Sequence, residues 1–206
     1  MKKISVLIAD DHEIVRMGLS ALLDAEPSVE IVGEAVDGND AVRQALRLRP
    51  SVVIMDLMMP GMDGAEATAA IRAQLPETQV LILTTSGSAD HIQRALDAGA
   101  LGVSLKSSSN ANLIPAICQV AAGRPAIASD VREILREDPP VRSLTDRQLE
   151  ILSALVKGLT NSDIATALDI SPNSVKWHLK EIFARIGAAN RAEAVSIALR
   201  KNLLKG

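Results

Sequence analysis

The chain has 206 residues, 48% of them hydrophobic, and a formal charge of −3. That length suits one large or two small domains with real cores. No apolar stretch reaches the roughly 18 residues of a membrane span, and a lone cysteine, Cys118, excludes an internal disulfide or a cysteine-held metal cluster. Met1-Lys2-Lys3 and the six apolar-patterned residues before Asp10 are too short and too soon charged for a signal peptide, so the cytoplasm is the expected compartment. The charge is uneven: residues 1–125 carry 10 Lys/Arg against 15 Asp/Glu, and residues 142–206 carry 10 against 6. An acidic half joined to a basic one suggests metal and phosphoryl chemistry in the first and a polyanion partner for the second.

In chain order, the first half alternates strand and helix. Strands are predicted near 3–9, 29–36, 51–55, 79–84 and 101–105, and helices over 12–25, 38–49, 64–75, 88–98 and 109–122. Short apolar runs separated by helix-length segments read as parallel strands buried on both faces, so the expected fold is an α/β doubly wound five-stranded parallel sheet. Pro60-Gly61-Met62-Asp63-Gly64 is turn chemistry between the third strand and its helix. From Gly123 to Ser143 the pattern loosens, with a short helix over 129–137 as an option, and Asp138-Pro139-Pro140 bars any helix from crossing. Residues 1–123 are thus read as one domain, 124–143 as a linker and 144–206 as a second, all-α domain. Its four helices are predicted from a Thr145 N-cap to about Lys157, then over 161–168, 172–186 and 191–202, opened by Asn161, Ser171 and Asn190.

Four of the apolar runs of the first half each end in a different polar group: Asp10 and Asp11, then Asp56, Thr84 and Lys106. Parallel strands deliver these to one sheet edge, where open α/β sheets place their sites. Three carboxylates together raise one another's pKa unless a divalent cation holds them, and hard oxygen donors with room for water suit Mg²⁺. A metal, a nucleophilic carboxylate, a hydroxyl and an ammonium make a site for accepting a phosphoryl group.

Asp10-Asp11, Asp56 ahead of Leu57-Met58-Met59-Pro60-Gly61-Met62-Asp63-Gly64, Thr84 and Lys106 resemble the receiver domain of two-component response regulators, which has a flavodoxin-like fold, over residues 3–123. The resemblance implies that Asp56 is the phosphoacceptor, that Asp10, Asp11, Asp56 and the Met58 carbonyl hold Mg²⁺, that Thr84 and Lys106 sense the phosphoryl oxygens, and that a sensor histidine kinase is the donor. Val103 stands where receivers usually carry a Tyr or Phe, and Ser107 follows the lysine where proline is frequent. An aspartyl nucleophile with Mg²⁺ also serves phosphatases, but Met58 occupies the place of their general acid, so no enzyme is expected.

In the second half, Leu144-Thr145-x-Arg147-x-x-Glu150, the run from Gly158 through Asn161, Ile164-Ala165, Leu168, Ile170-Ser171 and Ser174-Val175-Lys176 to His178, and Arg191-x-Glu193-Ala194-Val195 resemble the LuxR-type helix-turn-helix. With the receiver ahead of it, the chain resembles the NarL/FixJ-type response regulators. Val175, Leu179 and Ile182 form the inner stripe of the second motif helix, which leaves Lys176, Trp177 and Lys180 for base edges in the major groove. Trp177 has a second reading, a cover on the rim of the core. Asn161, Asn173, Ser174, Arg185 and Arg191 are candidates for phosphate contacts. The resemblance implies a homodimer on double-stranded promoter DNA, paired through the last helix, with no membrane partner.

Overall fold

The structure is a computed structural model that describes residues 3–85, 88–107, 112–137, 144–201 and 203–204. The chain divides into two compact units, Met1–Asp138 and Pro139–Gly206. In the first unit six parallel strands, β1 (Ile4–Ala9), β2 (Val29–Ala35), β3 (Val52–Met55), β4 (Gln79–Thr84), β5 (Gly102–Leu105) and β6 (Ala126–Ile127), lie in the order β2-β1-β3-β4-β5-β6. They alternate with α1 (Glu13–Asp24), α2 (Gly38–Leu48), α3 (Gly64–Gln74), α4 (Ala89–Asp97) and α5 (Leu113–Ala121), and α6 (Ser129–Glu137) closes the unit.

Alternate strand residues feed two cores. Leu7, Val53, Met55 and Ile82 pack on one face with Ala41 and Ala45 of α2, Ile71 of α3 and Ile92 of α4. Ile8, Ile54 and Leu81 pack on the other with Leu19 and Leu23 of α1 and Ile117 of α5. Both faces are dry, which is why these strands read as continuous apolar runs.

The five-strand expectation is corrected by β6. Residues 124–137, expected to begin the linker, fold onto the sheet instead: Gly102 pairs with Ala126 and Val103 with Ile127, and the optional helix over 129–137 is α6, whose Val131 is fully buried. A two-residue strand is too short to show an alternation in sequence. The expected linker residues 138–143 lie outside the described residues, as do 86–87, 109–111 of the fifth predicted helix, and 202.

The second unit holds α7 (Asp146–Val156), α8 (Asn161–Ala167), α9 (Pro172–Ile186) and α10 (Arg191–Arg200) around Ile151, Leu155, Ile164, Val175, Leu179, Ile182 and Ala198. Thr145 caps α7 as expected, in a reciprocal capping box with Gln148. The N-cap of α8 is Thr160, one residue before the predicted Asn161, because Thr160 and Asp163 form the same box. Ser171 and Asn190 cap α9 and α10, and Gly187 ends α9 in the left-handed conformation that glycine adopts without a Cβ clash.

Candidate functional site

The sheet order reverses between β1 and β3, and the crevice at their C-terminal ends is where such folds bind ligands. Ala9 pairs with Met55, and Met55 with Ile82, so Asp10 and Asp56 leave adjacent strands at one level. Thr84 pairs with Leu105, and the Lys106 amide donates 2.7 Å to the Thr84 carbonyl. Lys106 Nζ reaches across to Asp10 Oδ2 at 2.5 Å and Asp56 Oδ2 at 2.8 Å. The sheet register alone therefore gathers Asp10, Asp56, Thr84 and Lys106, with Asp10, Asp56 and Thr84 buried.

Local hydrogen bonds aim the carboxylates. The His12 amide donates to Asp10 Oδ1 at 3.0 Å, and the Met58 amide approaches Asp56 Oδ1 at 3.4 Å. Arg16 on α1 donates 2.9 Å to the Asp10 carbonyl and 3.2 Å to Glu34 on β2, which pins the turn carrying the acid pair. Burial pushes the Asp56 carboxyl above its ordinary range, the Lys106 hydrogen bond pulls the other way without cancelling it, and Asp10 adds to the rise. Burial alone would lower the Lys106 ammonium, but its bonds to Asp10 and Asp56 outweigh that and hold it above its usual value, a cation at neutral pH.

Two carboxylates thus share one ammonium, with Asp11 beside them. Asp10, Asp11 and Asp56 offer oxygens within 4.8 Å of one another, and Asp11 Oδ1 is a buried atom with no hydrogen-bond partner. It lies 2.8 Å from His12 Nδ1 without the alignment for a hydrogen bond. An acceptor-only donor set with an orphaned oxygen fits a hard divalent cation such as Mg²⁺. His12 belongs to the same cluster and was missed in the sequence, where its adjacency to the acid pair was the available signal.

The Asp56 shift gives a testable sign. A carboxyl whose folded pKa is raised contributes stability that is present below the ordinary carboxylate range and lost as pH rises through the raised value. At neutral pH the ion-free receiver therefore carries a buried charge that Lys106, shared with Asp10, only partly compensates, and a bound cation offsets the rest. Thermal melting should show a midpoint that rises with Mg²⁺ by several degrees at about 100-fold excess over Kd, reverses with EDTA, and moves less at pH 4 than at pH 7. Equal Mg²⁺ shifts at both pH values would show that Asp56 is not a ligand.

Val103, in the place of the usual receiver aromatic, is fully buried against the same core as Ile92 of α4. No ring is available there to swing with Thr84.

In the second unit a groove of about 550 Å³ is lined by Asn161, Lys176, Lys180, Phe183 and Arg191. It joins four of the eight residues expected to meet DNA. Trp177 is 59% exposed and packs edge-on against His178, its centroid 4.8 Å away, so the outward reading holds over a cover on the core. Asn173 is exposed, Arg185 is half-buried, and the Ser174 hydroxyl lies 2.9 Å from the Ser171 hydroxyl at the start of α9. Arg191 is half-buried and donates to the Leu159 carbonyl.

Comparison with known proteins agrees with this division. The profile of the response regulator receiver domain matches residues 6–118, and that of bacterial regulatory proteins of the luxR family matches residues 142–198. The chain is 40% identical to the transcriptional regulatory protein LiaR of Bacillus subtilis, over 98% of this chain and 99% of that one. Among solved structures, the response regulator ChrA of a heme-sensing two-component system is 37% identical, with a TM-score of 0.58 over 98% of this chain and all of that one. RcsB in complex with DNA is 25% identical, with a TM-score of 0.69 over 96% of this chain and 98% of that one. No helix among the described residues is long and apolar enough to cross a membrane.

Proposed function

The chain belongs to the two-component response regulators that join a receiver domain to a LuxR-family DNA-binding domain, and on that premise we propose that Asp56 takes a phosphoryl group from a sensor histidine kinase and that the phosphorylated chain binds promoter DNA as a dimer. The observation that carries this reading is the register-built site in which buried Asp56 and Asp10 share Lys106 Nζ. A carboxylate oxygen of Asp56 attacks phosphorus, the phosphorus–nitrogen bond of the phosphohistidine breaks, and its electron pair returns to the imidazole. Lys106 stays protonated and follows the developing charge on the phosphoryl oxygens, while the Thr84 hydroxyl stands at the same strand edge to bond one of them. Mg²⁺ held by Asp10, Asp11, Asp56 and the Met58 carbonyl supplies charge neutralisation when bound. Half-exposed Met58 offers no proton for hydrolysing a small phosphoester, which supports a switch and not a phosphatase.

On α9, Lys176, Trp177 and Lys180 are exposed and read base edges, and Asn161, Asn173, Ser174 and Arg185 contact phosphates. On α10, Ala194 and Ala198 are buried while Leu199 is 62% exposed, which leaves an apolar residue for a second copy. Two half-sites then supply affinity that a modest basic surface does not.

The test is fluorescence anisotropy of the full chain with a labelled duplex that it has itself selected from a randomised pool, before and after acetyl phosphate with Mg²⁺. We expect phosphorylation to tighten binding about tenfold, within the usual range of coupling between two sites. Equal affinities would defeat phosphorylation control, and failure to select any duplex would defeat the DNA-binding reading.

A further inference from the structure

Two guanidinium groups hold α8 from opposite ends. Arg147 on α7 donates 2.7 Å from Nη2 to the carbonyl of Leu168, the C-cap of α8, and 2.7 Å from Nη1 to Glu150. Arg191, the first residue of α10, donates from Nη2 to the carbonyl of Leu159, which precedes the Thr160 N-cap. A helix of seven residues does not stand without tertiary support. The last carbonyls of a helix lack partners within it, and a cation at that end also meets the negative end of the helix dipole. Immediately after Leu168 the chain turns through Asp169, at φ 51°, into the Ser171 cap of α9. The Arg147 bond therefore sits at the hinge between the two motif helices, and the Arg191 bond fixes the far end of the first.

We propose that Arg147 and Arg191 are positioning residues for DNA recognition: they lock α8, and through it the direction in which α9 presents Lys176, Trp177 and Lys180, without neutralising DNA phosphates themselves. The proposal rests on the DNA-binding reading above and reassigns Arg191 from the phosphate contact expected in the sequence. The charge of Arg147 is already matched by Glu150, and the half-buried guanidinium of Arg191 is turned to protein backbone.

Salt dependence separates the two roles, because each phosphate neutralised adds close to one unit to the slope of log K against log salt, whereas a misplaced helix weakens binding at every salt concentration. Anisotropy titrations of the full chain on its selected duplex, from about 50 to 200 mM KCl, would compare wild type with Arg147→Gln, Arg191→Gln and Arg185→Gln. We expect both arginine variants to bind about tenfold more weakly, the loss of one charge-assisted hydrogen bond, with the wild-type slope. Arg185→Gln, at a residue assigned to a phosphate, should lower the slope by about one. A slope lowered by about one in Arg191→Gln, or wild-type affinity in both arginine variants, overturns the proposal.

Circular dichroism and the emission of Trp177, the only tryptophan and a reporter on α9, establish that each variant is folded at the assay temperature. Should a glutamine variant unfold, Arg147→Lys and Arg191→Lys keep the charge but replace the planar fork with one ammonium. Weak binding with full slope is then expected, and wild-type affinity overturns the idea. A wild-type chain that selects no duplex sinks the DNA-binding reading and this inference with it, whereas selection followed by equal binding of all arginine variants sinks the inference alone.

Discussion

Asp56→Asn protein incubated with acetyl phosphate and Mg²⁺ should keep its unmodified mass, while wild type gains about 80 Da, the mass of one phosphoryl group. The effect is all or none because an amide is not a nucleophile toward phosphorus and the neighbouring carboxylates are differently employed. Asp10 is committed to Lys106 and to the His12 amide, and Asp11 lies beside the His12 ring. The same variant should melt higher than wild type in EDTA at neutral pH, since it removes the buried charge whose pKa burial raises, and the two should converge as pH falls through the carboxylate range. An adduct on Asp56→Asn would move the acceptor to another carboxylate. A variant that melts lower than wild type at neutral pH would mean that the Lys106 bond outweighs desolvation.

The convergence of the candidate acceptor residues was legible because parallel-sheet chemistry writes it into the strand ends. Four apolar runs that each stop at one polar residue need only a common register to converge, and the pairing of Ala9, Met55 and Ile82 supplies it. The starts of α7 to α10 were legible to within a residue for the same local reason: a cap is a side chain bonding a backbone three residues on, as at Thr145 and Ser171. What escaped had no local pattern. The β6 strand exists only as a partner for β5, and Arg147, Arg191 and Arg16 look like any surface arginine until the carbonyl each one reaches is brought near by tertiary folding. The candidate DNA face was legible only as exposure: helical periodicity put Lys176, Trp177 and Lys180 outside, but it could not say that Arg191 would bond the Leu159 carbonyl.

Gly64→Ala should cost the receiver about 3 kcal/mol, the upper end of overpacking penalties, and slow phosphoryl uptake by about 100-fold, the cost of a small misplacement at a reacting centre. A Cβ at Gly64 would stand 2.1 Å from the Asp56 carbonyl oxygen and 2.9 Å from Leu57 Cα. These are backbone atoms, so no rotamer change relieves the clash. The Gly64 amide also donates 3.0 Å to the Leu57 carbonyl, which ties the start of α3 to the segment just after β3, and the Thr68 hydroxyl donates 2.6 Å to the Gly64 carbonyl within α3. The added methyl therefore has to lift Asp56 and Leu57 away from α3, and Asp56 leaves Lys106 as it moves. Gly61, three residues earlier in the same turn, is the control. Its φ of 74° disfavours alanine by about 1 kcal/mol, but nothing lies within 4 Å of its Cβ, so Gly61→Ala should lower the melting midpoint slightly and leave the rate of adduct formation unchanged. Chemical denaturation and timed intact-mass measurements on the two variants would separate a glycine required for backbone conformation from one required for space beside the acceptor. Wild-type rates in Gly64→Ala would show that β3 can yield there without moving the carboxylate.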